Sequence, residues 1–189
     1  MSGKICIVAA WVMAAAGVHA QPRPIDAKAS SFTVRVFKAG VFSAFGHDHT
    51  ITAPVANGTV DAGGRQVELH VTAASLRVVD TKASENDRVQ VQKTMEGTEV
   101  LDVSRYPEIA FKSISAESKA GGVWTVRGNL TLHGATRPVT VEVKESGGHF
   151  TGAALLKQTD FGMKPVKVAG GTVKVKDEVR VEFDIQLAK

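Results

Sequence analysis

The residues with most chemistry to offer stand together at His47-Asp48-His49. In an extended segment, side chains two apart point the same way, so both imidazoles can address one partner. Two histidines and a carboxylate suit zinc or copper, with His133 or His149 as a further donor. The single cysteine, Cys6, is far from them in sequence, and no other ligand stands at a recognisable metal spacing. Ser43, Ser104 and Ser113 lack a nucleophile-elbow context, and no glycine-rich phosphate cradle precedes a helix. The trio therefore supports two readings. One is a metal site or hydrolase centred on His47, Asp48 and His49. The other, better matched to the missing ligands, is a hydrogen-bonded loop meeting the polar head of an apolar molecule.

An apolar molecule needs an apolar surface, and the chain supplies one by alternation. In Val123–Val143, Trp124, Val126, Gly128, Leu130 and Leu132 recur every second residue between Thr125, Arg127, Asn129 and Thr131. His133–Arg137 reads as a turn, after which Val139, Val141 and Val143 resume the pattern. The stretch predicts a long antiparallel hairpin with one wet and one dry face. Similar alternation marks Ser31–Lys38, Gln66–Thr72, Glu108–Ser115, His149–Lys157 and Glu178–Leu187. A further strand is expected up to Val60, interrupted at Pro54, and Thr172–Lys176 gives only a weak signal.

One segment breaks the β pattern. From Asp80 onward, Thr81 or Ser84 can cap a helix with Glu85 and Asp87 in its first turn, and Gly97 can end it. Tyr106-Pro107 closes the helical part. The fold class expected is all-β with a helical insertion, as a closed antiparallel barrel of about eight strands whose interior takes side chains or one small ligand. A two-sheet sandwich has the same periodicity and stays open at this point.

Residues 1–20 read as a secretory signal: Lys4, an apolar run Ile5–Gly17, and a small residue at Ala20. Residues 21–189 are then one domain of 169 residues with a net charge of +3, periplasmic or secreted. The charges alternate in short runs such as Lys174–Glu178, without a basic block carrying aromatics, so nucleic acid is not an expected partner.

Three stretches carry a family likeness: GNLTLHGATRPVTVEV at Gly128–Val143, YPEIAFKS at Tyr106–Ser113, and DFGM at Asp160–Met163. With the helical insertion between Ser84 and Tyr106, they resemble the YceI-like lipid and polyisoprenoid-binding family in the same order. The resemblance implies a lipocalin-like barrel, exported, with an elongated apolar tunnel for an isoprenoid chain. The chain departs from the family pattern at Ile25-Asp26 and Ala29-Ser30 near its first strand. It departs again at Lys157-Gln158-Thr159, where an arginine is common, and it adds Gly46-His47-Asp48-His49.

Taken together, the expected ligand-lining residues are Phe32, Val34, Val36, Leu69, Phe111, Trp124, Val126, Leu130, Phe150, Val181 and Phe183. Gly128, Gly152 and Ala154 on the same faces are expected to leave room. Phe42, Phe45, His47 and His49, with Phe161 of the Asp160–Met163 loop, are expected at the mouth, where an ordinary packed lid is the competing reading. A filled core that binds nothing is the competing reading for the faces. Each isoprene unit buried there is worth on the order of 3–4 kcal/mol. The expected partner is a small apolar ligand, isoprenoid lipid or quinone, held without a dedicated cofactor or metal and without catalysis. Transient contact with a membrane or a quinone-using membrane protein, and a homodimer, are the further partners considered.

Overall fold

The computed structural model describes residues 21–39, 48–61, 65–168 and 173–189. The strands are β1 (Arg23–Pro24), β2 (Ser31–Ala39), β3 (His49–Pro54), β4 (Asn57–Asp61), β5 (Gln66–Thr72) and β6 (Arg77–Val78). Helix α1 (Glu85–Glu96) follows, then β7 (Glu108–Ser118), β8 (Val123–Leu132), β9 (Ala135–Ser146), β10 (His149–Lys157), β11 (Lys167–Val168) and β12 (Val173–Gln186). They form one curled antiparallel sheet in the order β1-β4-β5-β7-β8-β9-β10-β12-β2-β3-β6, with β11 added beside β12.

The hairpin of β8 and β9 is in register from Val123↔Lys144 to Leu132↔Ala135. Its turn is two residues, His133 and Gly134, both at positive φ (49° and 73°), the geometry that matches the twist of the flanking strands. The expected ring of eight strands differs from this in-line path for local reasons. The Asp26 carboxylate accepts from the amides of Lys28 (3.0 Å) and Ala29 (3.2 Å), and this turn separates β1 from β2. Pro54 has no amide to donate, and the second strand stops there and resumes at Asn57. Conversely, the two strands expected at the C-terminal end are one, β12, running Val173–Gln186; Thr172 lies outside the described residues. The charged run Lys176-Asp177-Glu178, where the pairing with β2 shifts by two residues, hides the continuity from the apolar pattern.

Helix α1 starts at Ser84, whose hydroxyl accepts from the Asp87 amide at 3.1 Å, and ends at Gly97. Its apolar stripe is thin; of its residues Met95 is the buried one. Polar bonds do the anchoring instead: Gln92 accepts from the Val78 amide (2.9 Å) and donates to the Leu76 carbonyl (2.8 Å). Val100 and Leu101 follow the helix into the same cluster as Ile51, Val71, Leu76, Phe161 and Met163. A second cluster, Ile25, Val55, Val60, Ile185 and Leu187, lies toward the other end of the strands.

Candidate functional site: an apolar cavity inside the curled sheet

A third cluster, Ala116, Val126 and Val143, packs with Phe111, Trp124 and Phe183. Among these clusters the inward side chains leave a cavity of about 290 Å³. Phe32, Val34 and Val36 of β2, Leu69 of β5, Phe111 of β7 and Trp124, Val126 and Leu130 of β8 line it. Phe150 of β10 and Val181 and Phe183 of β12 complete the set expected from the strand faces. These are alternate residues on each strand, so one pleat face of the sheet supplies the wall. No large side chain among the described residues falls below 2% exposure, as expected when inward groups border space rather than each other.

Lining residues that alternation also marks, but outside the expected set, are Val139, Val141 and Val143 of β9 and Val179 and Ile185 of β12. Met95, Val100, Leu101 and Met163 close the helix-side end; they come from the helix, its following turn and a loop, where no strand period operates. The polar groups in the wall are few. Asp61, Arg65 and Gln66 gather at the β4–β5 turn, and Gln158 stands toward the opposite end. Gln158 is buried, its amide donating to the Lys176 carbonyl at 2.8 Å.

The expected role of Gly128 and Gly152 is corrected. A β-carbon at Gly128 would lie 2.5 Å from the Phe111 ring and 2.6 Å from the Lys112 carbonyl oxygen; one at Gly152 would lie 2.5 Å from the Phe183 ring. The space those glycines free is already filled by the neighbouring strand's phenylalanine. They set how close each ring lies to the sheet and add nothing to the open volume.

Phe42, Phe45 and His47 lie outside the described residues. His49 is described and does not border the cavity. Its Nδ1 is 2.6 Å from the carboxylate of Asp80, a buried residue that also accepts from the Thr50 amide. Asp48 is exposed and accepts from the Lys38 amide at 2.9 Å. The other histidines are engaged elsewhere: His133 with the Phe161 carbonyl (3.0 Å) and the Tyr106 ring (4.7 Å between centroids), and His149 with Asp184 (2.6 Å). His49 sits level with Val36, Val179 and Leu156, seven residues along β10 from His149, or about 23 Å. Among the described residues no group of three histidine, cysteine or carboxylate side chains is arranged to hold a metal ion. Phe161 is also displaced from its expected place. A short 3-10 turn, Gln158–Phe161, ended by Gly162 at φ 75°, directs it into the helix-side cluster and an outer recess.

The family model for the YceI-like domain matches residues 24–187, the whole run from β1 through the end of β12. This chain belongs to the YceI-like family. A UPF0312 protein of Vibrio cholerae is 30% identical over 124 residues, 60% of this chain, and the chain spans 64% of that relative's length. Among solved structures, Burkholderia cenocepacia BcnA matches at a TM-score of 0.61 and 20% identity, over 87% of this chain and 99% of BcnA. A mutant CJ YceI protein with a monobromobimane guest matches at a TM-score of 0.53 and 13% identity, over 74% of this chain and 81% of its own. At those identities the two structures support the fold.

Two groups on the outer surface, His70 and Asp177, have shifted titration. The His70 imidazole is held above the usual histidine range, foremost by its bond to Glu108, with Glu68 adding and partial burial opposing. Asp177 is held below the usual carboxylate range by the Thr159 hydroxyl (2.6 Å) and amide (2.9 Å), which fastens the 3-10 turn to β12.

Proposed function

We propose that this protein is an exported, periplasmic carrier that sequesters an isoprenoid lipid or quinone-type molecule in its interior and performs no catalysis on it. One observation carries the reading: a cavity of about 290 Å³ walled by apolar side chains from most of the long strands, among three packed clusters. Family membership supports it, because the YceI-like family is one of lipid-like ligand binding rather than of reaction.

We also infer that the curled sheet works as a closed wall. β1 and β2 act as one interrupted strand, since the β1 end bonds to the chain after β12 through the Ile25–Leu187 bridge and the Ala188 amide on the Pro24 carbonyl (2.9 Å). β3 and β4 act as a second: β2 pairs with β3, and β1 with β4. β5 and β6 act as a third, since β4 pairs with β5 and β3 with β6; with the two-residue β11 set aside, the strands are eight and each has a neighbour on both sides.

The volume limits what fits. An apolar cavity of about 150 Å³ takes one benzene ring. On that scale 290 Å³ takes about twelve carbons, roughly two isoprene units. Their burial is worth about 9 kcal/mol gross. Loss of rigid-body freedom offsets at least ~4 kcal/mol of it, leaving a Kd of roughly a few hundred micromolar or weaker for a chain confined to the cavity.

Leu130→Trp tests the reading, because an indole there occupies the space directly. The variant is expected to fold, at a cost of about 1–3 kcal/mol for overpacking, and to lose the apolar molecule that organic extraction recovers from the wild type. Undiminished ligand in the variant would place the ligand elsewhere.

A further inference from the structure

The wall has a slit. β9 and β10 pair from Ser146↔His149 to Glu142↔Ala153 and no further, although β9 begins at Ala135 and β10 continues to Lys157. Over four residues of β10, about 13 Å, the two strands run side by side without a ladder. On their other edges both remain paired, β9 with β8 and β10 with β12. Two sequence features fit the opening. Pro138 removes an amide from β9 at this level, and prolines in sheets sit where one side goes unpaired. The 3-10 turn Gln158–Phe161 ends β10 and packs against β9, fastened to β12 by Asp177 and to the β8–β9 turn by His133.

Outside the slit lies a recess of about 300 Å³. Val139, Ala154 and Leu156 line both this recess and the inner cavity. The rim adds Leu155, 58% exposed, with Arg137 and Lys157 against Asp160 and Glu178. Two positive and two negative groups cancel, so the rim favours a neutral or weakly polar group over a strongly charged one.

Resting on the carrier reading, we propose that the slit between β9 and β10 is where a ligand crosses the wall. About twelve carbons lie inside, and the remainder of a longer isoprenoid alcohol or quinone, with its polar end, lies in the recess. The inner volume is too small for a long chain, and this break in the wall, among the described residues, opens beside it. The competing exit is the polar end of the cavity at Asp61, Arg65 and Gln66.

The test uses the full chain with Cys6→Ser, carrying an environment-sensitive dye at Leu155→Cys or, separately, at Gln66→Cys. Both positions are exposed, so neither label enters the packed interior. Geraniol (ten carbons) and geranylgeraniol (twenty) are the probes, with bound ligand measured by native mass spectrometry. The expected result is a blue shift at position 155 with the twenty-carbon alcohol, little with the ten-carbon alcohol, and none at position 66. A shift at position 66 alone, equal shifts at both positions, or bound geranylgeraniol with neither dye responding would overturn the slit. So would binding of geraniol alone, while leaving the carrier reading in place. Binding of neither alcohol would overturn the carrier reading itself. As an independent check, Thr140→Trp, at an exposed residue that lines the recess and not the inner cavity, is expected to weaken geranylgeraniol at least about tenfold while leaving geraniol nearly unchanged. Equal loss of both, or of neither, counts against the slit.

Discussion

At the scale of single residues, the inner wall and the outer wall obey different physics. Inside, position is set by contact. Gly128 lies under the Phe111 ring, so Gly128→Ala must push that ring toward the cavity or spread β7 from β8. The expected cost is about 1–3 kcal/mol by chemical denaturation, together with reduced ligand uptake; a neutral substitution would mean the ring has other room. Outside, charge decides. His70 stands between Glu68 and Glu108, and its raised pKa means that folding favours the protonated ring. That contribution is complete below about pH 6.5, the unfolded value, and is lost as pH rises through the higher folded value. Glu108→Gln is expected to bring the His70 titration down, as followed by the ring proton shifts in NMR. An unmoved titration would contradict the assignment of Glu108 as the main cause.

At the scale of elements, what could be read from the residues was whatever a period or a cap controls. The alternation in Val123–Val143 yielded the hairpin, with the turn expected over His133–Arg137 shrinking to His133-Gly134, and of the two caps considered Ser84, with Gly97, bounds α1. What could not be read came from interactions between distant residues. The thin apolar stripe of α1 gave no hint that Gln92 would bond both the Val78 amide and the Leu76 carbonyl. Gln92→Ala leaves both backbone groups without that partner and is expected to cost about 1–3 kcal/mol. Hydrogen exchange should show the Val78 amide losing protection; retained protection would mean that packing of Met95, Val100 and Leu101 holds the helix by itself. The His47-Asp48-His49 trio could be followed only in part. His47 lies outside the described residues, and one partner of His49 is Asp80, thirty-one residues away, which spacing along the chain does not reveal. The continuity of β12 was likewise masked, because Lys176-Asp177-Glu178 interrupts the apolar residues where the pairing with β2 shifts by two residues.

At the scale of the whole molecule, the question is whether a sheet this size encloses more room than its own side chains fill. Small barrels usually fill themselves. Here packing gathers in three clusters, around Phe161 and Met163, around Ile25, Val55 and Leu187, and around Val126 and Val143, with a cavity of about 290 Å³ among them. The strand faces were legible as apolar; that they would leave room was not, because alternation reports which way a side chain points and never how far it reaches. Emptiness of that kind costs stability unless something occupies it. The most direct measurement is native mass spectrometry of the protein purified from the organism that makes it. Protein of processed mass carrying one apolar molecule, released into organic solvent and absent from Leu130→Trp, is the predicted spectrum. Bare protein, unable to take up an added isoprenoid alcohol, would contradict it.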